Sequence, residues 1–242
     1  MTRHDGRTPS QLRPVRIEPG YVKYPHGSAL ITFGDTRVLC TVMVEEKVPG
    51  FLESRSEPQG WLTCEYSLLP ASGLTRNGRA GYGSNQVKGR VHEVQRLIGR
   101  ALRAAIDLKK VGKRTILIDC DVIQADGGTR TASVTGAMVA LELAVRRLMK
   151  EGKLTQNPLI ARVAAVSVGL VAGEAVLALD YKEDSSAETD LNLVLNRAGG
   201  YIEMQGTAED GIFTRQQLDQ MLKLGEDGVQ KLFQLQDEAL KV

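Results

Sequence analysis

The ten residues Gln124–Ser133, with the sequence Gln-Ala-Asp-Gly-Gly-Thr-Arg-Thr-Ala-Ser, join a β-branched run to an apolar helical stretch. Gly127 and Gly128 allow the backbone to turn tightly and to approach a ligand closely. Thr129 and Arg130 follow just before the predicted helix, whose free amide groups and positive dipole end favour an anion. The segment lacks the GxxxxGK[ST] pattern of a nucleotide-binding phosphate loop. It is therefore interpreted as either an anion site or a plain capped turn.

Hydrophobic patterns on both sides of this segment predict strands and helices. The predicted strands are Ser28–Phe33, Thr36–Val44, Gly60–Tyr66, Thr115–Ile123, Ala161–Leu170, Ala175–Tyr181, Leu191–Leu195 and Tyr201–Gln205. The predicted helices are Val91–Lys110, Ser133–Leu148 and Thr214–Leu240, the last opening with a capping-box pattern at Thr214–Gln217. Gly34-Asp35 predicts a hairpin turn between the first two strands. No linker rich in Pro, Gly and Ser separates the two halves. We therefore expect one α+β domain over residues 1–242, with helices packed on mixed sheets.

The composition excludes several classes of protein. The chain has 242 residues, 42% of them hydrophobic, and no apolar run approaches the roughly 20 residues of a membrane span. The N-terminus lacks the apolar core of a signal peptide. Cys40, Cys64 and Cys120 lie far apart, which argues against a disulfide framework and a CxxC metal knuckle. We expect a cytoplasmic protein with reduced thiols.

Positive charge is concentrated in one part of the chain. Residues 71–115 contain 11 Lys and Arg but two acids, a net charge of +9, while the whole chain has +2. Such a segment attracts polyanions, although it could equally form a solvated surface or a subunit contact. Its first part, residues 71–85, is rich in Gly, Ser and Asn and predicts a long loop. Lys88-Gly89-Arg90 follows, and Arg90 could join Arg130 in holding a phosphate.

Negative charge is concentrated in a second segment. Residues 180–192 read Asp-Tyr-Lys-Glu-Asp-Ser-Ser-Ala-Glu-Thr-Asp-Leu-Asn and carry five acids. Crowded carboxylates bind hard cations or supply general acids and bases, but they also occur in acidic surface turns. Residues 205–209, Gln-Gly-Thr-Ala-Glu, form a polar turn to which the sequence assigns no chemistry. An anion-binding helix start, a carboxylate cluster and a basic surface together favour metal-assisted phosphoryl transfer on nucleic acid.

These motifs resemble those of ribonuclease PH, a family of bacterial phosphate-dependent 3′→5′ exoribonucleases. The resemblance covers roughly residues 3–240. Its main blocks are Asp5–Arg7, Leu12–Val15, Gly34–Thr36, Gly60-Trp61, Glu65-Tyr66, Gly89-Arg90, Glu93–Arg100, Asp119–Ser133, Glu183–Ser185, Asp190–Asn192 and Glu203–Glu209. It implies the ribonuclease PH fold, with two βαβα-like halves in one domain, related to the second-domain fold of a small-subunit ribosomal protein. It also implies a homo-oligomeric ring, a hexamer built as a trimer of dimers.

The resemblance further implies the residues and substrates of the reaction. The implied phosphate-binding residues are Arg90, Gly128, Thr129 and Arg130, and the implied catalytic aspartates are Asp184 and Asp190. The aspartates would hold Mg²⁺, or one of them would act as a general acid. Further candidates for RNA contact are Arg76, Arg79, Arg96 and Arg100. The expected RNA substrates are chiefly precursor tRNA 3′ ends, shortened with release of nucleoside diphosphates, and the reverse reaction would add nucleotides.

Two other functions remain compatible with the sequence. A catalytically silent ring subunit would bind RNA or partners without chemistry, and it would not need the arginines and both aspartates. A hydrolytic metal-dependent nuclease would release nucleoside monophosphates and would ignore added phosphate. It would also need more metal ligands than Asp184 and Asp190 offer.

Overall fold

The computed structural model describes residues 3–54, 56–57, 59–79 and 89–241, and five strands of this part form a first sheet. The strands are β1 (Val15–Pro19), β2 (Gly27–Phe33), β3 (Thr36–Glu45), β4 (Trp61–Leu68) and β5 (Thr115–Gln124). Their order is β1-β2-β3-β5-β4, with only β4 and β5 parallel to each other. The β2–β3 hairpin closes over the predicted Gly34-Asp35 turn, where Phe33 pairs with Thr36.

Four helices belong to this half of the chain. They are α1 (Gly50–Glu53), α2 (Gly89–Arg103), α3 (Leu108–Val111) and α4 (Thr129–Lys150). Parallel neighbours need a long crossover connection, and α2 is the principal helix of the connection from β4 to β5. Helix α4 begins directly after β5, so the Gly127-Gly128 turn stands where strand and helix meet.

The second half forms an antiparallel sheet with one long helix. Its elements are β6 (Val163–Val171), β7 (Glu174–Leu177), α5 (Tyr181–Asp184), β8 (Thr189–Asn196), β9 (Tyr201–Ala208) and α6 (Arg215–Ala239). The strand order is β7-β6-β8-β9. The predicted capping box at the start of α6 is present, since Thr214 and Gln217 bond reciprocally.

One hydrophobic core extends through both halves. Helix α4 is apolar on nearly all sides, and it packs against β2 and β3 of the first sheet and β6 of the second. The approach is close: a Cβ on Gly136 would lie 2.7 Å from the Ile31 side chain. Helix α6 covers β6 and β7. The second sheet is therefore fixed against the same helix whose first turn carries Thr129 and Arg130.

The α+β prediction is confirmed, but the boundaries of several elements differ; helix α4, for example, begins at Thr129 and not at the predicted Ser133. The helix predicted over Val91–Lys110 ends at Arg103, because Ala105 accepts a hydrogen bond from the Ile160 amide at 2.9 Å. Asp107 then caps the separate helix α3. The strand predicted over Ala175–Tyr181 stops at Leu177, since Ala178 has a φ of 54°.

Strand β1 is an edge strand that the sequence pattern did not indicate. The description of residues 1–242 as one domain stays a prediction. No helix in the described ranges is both long and apolar enough to span a bilayer.

Candidate active site

The turn before α4 is held by side chains from the N-terminal segment and β3. Arg13 donates to the Asp126 carbonyl at 2.7 Å and to the Gly127 carbonyl at 3.3 Å. Thr36 donates its hydroxyl to the same Gly127 carbonyl at 2.6 Å and accepts from the Asp126 amide at 2.9 Å. Burial lowers the pKa of Arg13 to about 10, so its guanidinium remains charged at neutral pH. The turn is thus fixed by a buried cation and a hydroxyl.

Both glycines of this turn are required by its geometry. Gly127 and Gly128 have φ values of +73° and +62°, in the left-handed region that disfavours residues with a Cβ. A Cβ on Gly127 would lie 2.6 Å from the carbonyl carbon of Asp180, and one on Gly128 would lie 2.6 Å from Arg13 Nη2. The turn therefore brings the start of α4 next to the acidic segment.

The first turn of α4 has free donors. Gly128 is the N-cap and supplies no side-chain cap, and no described residue accepts from the amides of residues 129–131. The Thr131 hydroxyl donates back to the Gly128 carbonyl at 3.0 Å. Thr129 Oγ1 lies 2.8 Å from the hydroxyl of Tyr66, which is 4% exposed. These features favour the anion-site interpretation over the plain capped turn.

Arg130 is anchored on one side only. Its Nη1 donates to Gln205 Oε1 at 2.6 Å and to Glu93 Oε1 at 3.3 Å, and Gln205 Nε2 donates to the same Glu93 oxygen at 2.7 Å. Its Nε and Nη2 have no hydrogen-bond partner among the described residues. The Arg130 side chain is 16% exposed. One edge of the guanidinium is therefore available for a bidentate contact with an anion.

Arg90 is the second arginine of the site. It is the second residue of α2, is exposed, and forms no ion pair or hydrogen bond within the described part of the chain. Its charge lowers the pKa values of both Tyr66 and Asp184, although burial raises each of them overall. Arg90 thus acts electrostatically on groups from β4 and α5. Lys88, predicted as part of the same motif, lies outside the described residues.

Asp184 and Asp190 come together from the end of α5 and from β8. Burial raises the pKa of Asp184. Burial and the nearby Asp184 charge raise the pKa of Asp190 to about 6, while Arg130 and a hydrogen bond from Asn192 oppose this shift. Asn192 Nδ2 donates to Asp190 Oδ2 at 3.0 Å. Asp190 Oδ1 is buried and has no hydrogen-bond partner among the described residues.

The two aspartates form no ion pair within 4.0 Å among the described residues. Arg90 and Arg130 act on Asp184 through space without direct contact, so the opposite charges do not cancel in a closed pair. Two adjacent carboxylates, one with an unused buried oxygen, fit a divalent cation such as Mg²⁺. We therefore regard Asp184 and Asp190 as the residues that could hold one.

The rest of the acidic segment serves the fold. Glu183 accepts two hydrogen bonds from the buried Arg3, at 2.6 and 2.5 Å, and one from Arg7 at 3.3 Å. His4 Nε2 lies 2.7 Å from Asp180 Oδ2. Within the described ranges, His4, Asp180 and Glu183 form the one trio of potential metal ligands. Its carboxylates are already bound by arginines, so the five acids do not form one cation site.

The predicted RNA contacts lie apart from this centre. Arg76, Arg79 and Arg96 are exposed. Arg100 is bound by Glu203 from β9 through two hydrogen bonds, of 2.5 and 3.1 Å. The structure does not bring these four residues to the aspartates, and their role in RNA binding stays a prediction.

Several site residues lacked a chemical assignment from the sequence. Tyr66, Glu93 and Gln205 contact Thr129 or Arg130 directly, and the Glu209 charge raises the pKa values of both site aspartates. The signal that could have found Gln205 and Glu209 is the polar turn at residues 205–209. Its chemistry becomes visible only once β9 lies beside β8.

Comparison with known proteins places this fold and site in a family. Sequence models of the 3′ exoribonuclease family match residues 11–146 with domain 1 and residues 161–228 with domain 2. The structure of rice (Oryza sativa) Rrp46 is similar with a TM-score of 0.80 and 19% identity, over 99% of this chain and 100% of that chain.

Two archaeal structures are similar to the same extent. The Archaeoglobus fulgidus exosome with RNA bound to the active site gives a TM-score of 0.78 and 21% identity, over 96% of this chain and 91% of that chain. An archaeal exosome core gives a TM-score of 0.76 and 22% identity, over 97% of this chain and 91% of that chain. These similarities show the RNase PH fold predicted from the sequence. Since the family models together match most of the sequence, the chain belongs to the 3′ exoribonuclease (RNase PH) family.

Proposed function

We propose that this protein is a phosphorolytic 3′→5′ exoribonuclease of the bacterial ribonuclease PH type. It uses inorganic phosphate to remove the last nucleotide of an RNA as a nucleoside diphosphate. One observation carries the proposal: the half-buried Asp190 has a buried carboxylate oxygen, Oδ1, without a hydrogen-bond partner among the described residues, and it lies within electrostatic range of an Arg130 guanidinium that keeps one edge free. Buried charges without partners are costly, which favours a site completed by its ligands.

The arginines account for the use of phosphate. Inorganic phosphate and the RNA phosphodiester are both anions, so their approach is opposed by Coulomb repulsion that grows as water is excluded. Arg90, Arg130 and the free amides at the start of α4 would neutralise and orient the attacking phosphate. The Thr129 hydroxyl, held by Tyr66, adds a further contact at the same place.

The aspartates account for the leaving group. Asp184 and Asp190 would hold Mg²⁺, which when bound supplies Lewis-acid stabilisation of the charge developing on the leaving 3′-oxygen. Burial raises the pKa of Asp190 to about 6, and a carboxyl group with such a pKa suits a general acid as well as a cation ligand.

The substrate is proposed to be the 3′ end of precursor tRNA and of other RNAs. Contacts to phosphates carry no base information, so trimming should tolerate different sequences. The basic segment with Arg76, Arg79, Arg96 and Arg100 would hold the RNA body. We further propose a homohexamer, a trimer of dimers, in the cytoplasm. A related archaeal exosome has RNA at its active site, which supports an RNA substrate.

A catalytically silent RNA-binding subunit is the second candidate. It is favoured by the similarity to Rrp46 and to exosome cores, which extends over nearly the whole chain at comparable identities. These neighbours fit that function about as well as the enzymatic one. The unbonded Asp190 Oδ1 and the half-free Arg130 favour the enzyme, because a scaffold gains nothing from burying a carboxylate oxygen without a partner.

The deciding experiment incubates the purified protein and Mg²⁺ with an RNA that has a short 3′ tail, with and without inorganic phosphate. The expected products are nucleoside diphosphates that appear only with phosphate. Monophosphates formed without phosphate would identify a hydrolase and contradict the role of Arg90 and Arg130. RNA binding without any product would establish the silent subunit.

A further inference from the structure

We propose that Gln205 is the positioning residue for Arg130 and that it fixes the guanidinium without neutralising its charge. This inference rests on the proposed phosphate-dependent reaction. It assigns a role to the polar turn at residues 205–209, which the sequence left without chemistry. Gln205 acts through Arg130 and makes no proposed contact with the phosphate itself.

The hydrogen bonds determine how the Gln205 amide is oriented. Its oxygen accepts from Arg130 Nη1 at 2.6 Å, and its nitrogen donates to Glu93 Oε1 at 2.7 Å. The reverse orientation would direct the NH₂ group at a guanidinium and the oxygen at a carboxylate, so both bonds would be lost. Glu93 therefore holds the amide, and the amide holds Arg130.

A neutral residue at this position has a specific advantage. The direct contact of Glu93 with Arg130 Nη1 is the longer one, at 3.3 Å, and the Glu93 side chain is 45% exposed, so solvent screens the pair. A carboxylate at position 205 would form a short second ion pair and cancel the charge that the phosphate needs. The amide instead uses Nη1 and leaves Nε and Nη2 available for a bidentate contact.

The strand register places Gln205 beside the other half of the site. Gln205 on β9 is the direct partner of Asn192 on β8, and such partners project from the same face of a sheet. Asn192 donates to Asp190 Oδ2 at 3.0 Å. One pair of facing residues in the second sheet thus contributes two side-chain amides: Gln205 is bonded to Arg130 and Asn192 is bonded to Asp190.

Two variants and a matched control test the proposal. Gln205→Met removes both hydrogen bonds at similar side-chain length, and Gln205→Glu replaces the neutral acceptor with a charge. The control is Glu203→Gln, which weakens the neighbouring contact between β9 and α2 through Arg100 and leaves Arg130 untouched. Initial rates are measured against phosphate at saturating RNA and against RNA at saturating phosphate. Calorimetry with inorganic phosphate alone gives a readout independent of turnover.

We expect both Gln205 variants to raise the KM for phosphate and the calorimetric Kd about ten- to hundredfold, since misplacement of a positioning group has effects of this size. The KM for RNA should stay within about twofold, and Glu203→Gln should leave the phosphate KM unchanged. An unchanged phosphate KM in Gln205→Met, or an equal rise of both KM values, would overturn the proposal. If wild-type protein binds phosphate but releases no diphosphates, the proposed function fails, while the calorimetric comparison still decides the role of Gln205.

Discussion

Residues 180–190 contain two pairs of carboxylates that the fold treats differently. Asp180 and Glu183 lie against Arg3, Arg7 and His4, and each has at least one basic partner within hydrogen-bond distance. Asp184 and Asp190, which follow Glu183 by one and seven residues, have no such partner among the described residues. Asp190 keeps one buried oxygen unpaired.

This contrast separates structural charge from functional charge within one acidic segment. A buried carboxylate bound by an arginine is compensated by the protein itself, whereas one left unpaired raises the free energy of the folded state until a ligand arrives. Arg3 and Arg7 of the N-terminal segment donate to the first pair, Arg3 to Glu183 and Arg7 to both carboxylates. In the proposed function, the second pair would hold a cation and take part in the reaction.

Asp190→Asn should have the largest effect on activity. The amide has the shape of the carboxylate, but it has no negative charge to neutralise a divalent cation and cannot act as a carboxylic acid. Phosphorolysis should therefore fall by about 10⁴-fold. The unfolding midpoint at neutral pH should not decrease, because the substitution removes an unpaired buried charge. Phosphate-dependent release of diphosphates and urea unfolding measure the two quantities. Retained activity would reject the role of Asp190.

Glu183→Gln should lower the stability of the protein and leave its phosphate KM unchanged. The substitution leaves Arg3, which is 2% exposed, facing an amide that can no longer compensate its charge. Breaking a buried pair in this way costs about 3–5 kcal/mol of unfolding free energy. Under conditions where the variant is folded, its phosphate KM should match that of the wild type. Urea unfolding tests this, and a loss under about 1 kcal/mol would contradict the assignment of Glu183 to the fold.

Arg130→Ala tests the cationic half of the site. Removing the guanidinium should lower phosphorolysis at a fixed phosphate concentration by about 10²–10³-fold, the effect typical of a lost charge-stabilising donor. RNA affinity without phosphate should fall by no more than about threefold, because in the proposed function the basic segment would supply most phosphate-backbone contacts. Fluorescence anisotropy with labelled RNA measures this affinity. An equal loss of RNA binding would place Arg130 in the RNA path instead.

The sequence predicted the parts of this site that local patterns encode. The Gly127-Gly128 turn between strand and helix and the β2–β3 hairpin each follow from neighbouring residues, although helix α4 begins at Thr129, four residues before the predicted Ser133. Motif resemblance added Asp184 and Asp190. Long-range pairing determined the rest: Gln205 meets Arg130 only because β9 pairs with β8.

The same physical reason explains the errors in the predicted elements. The helix after Val91 stops early because residues 105 and 106 pair with residues 159–161, more than fifty positions away. The carboxylates of the acidic segment lie in two different environments because Arg3 and Arg7, from the other end of the chain, bind only some of them. No local pattern in the sequence contains these contacts.

The smallest predicted effect concerns the pH dependence of stability, and it tests the unpaired state of Asp190 directly. Its pKa is raised from 3.8 to about 6 in the folded protein, so between about pH 4 and pH 6 the folded state binds more protons than the unfolded state. The contribution of Asp190 to stability therefore falls as the pH rises through this window. Asp190→Asn lacks this loss, so the unfolding free energy of the variant minus that of the wild type should increase from about pH 4 to pH 6 and then level off, with a total rise of at most about 3 kcal/mol. Urea unfolding in the presence of a chelator measures this difference. Added Mg²⁺ should reduce the difference, because a bound cation offsets the cost of the buried charge. A difference that stays flat with pH would mean that a partner compensates Asp190 in solution, and the contrast with Glu183 would then disappear.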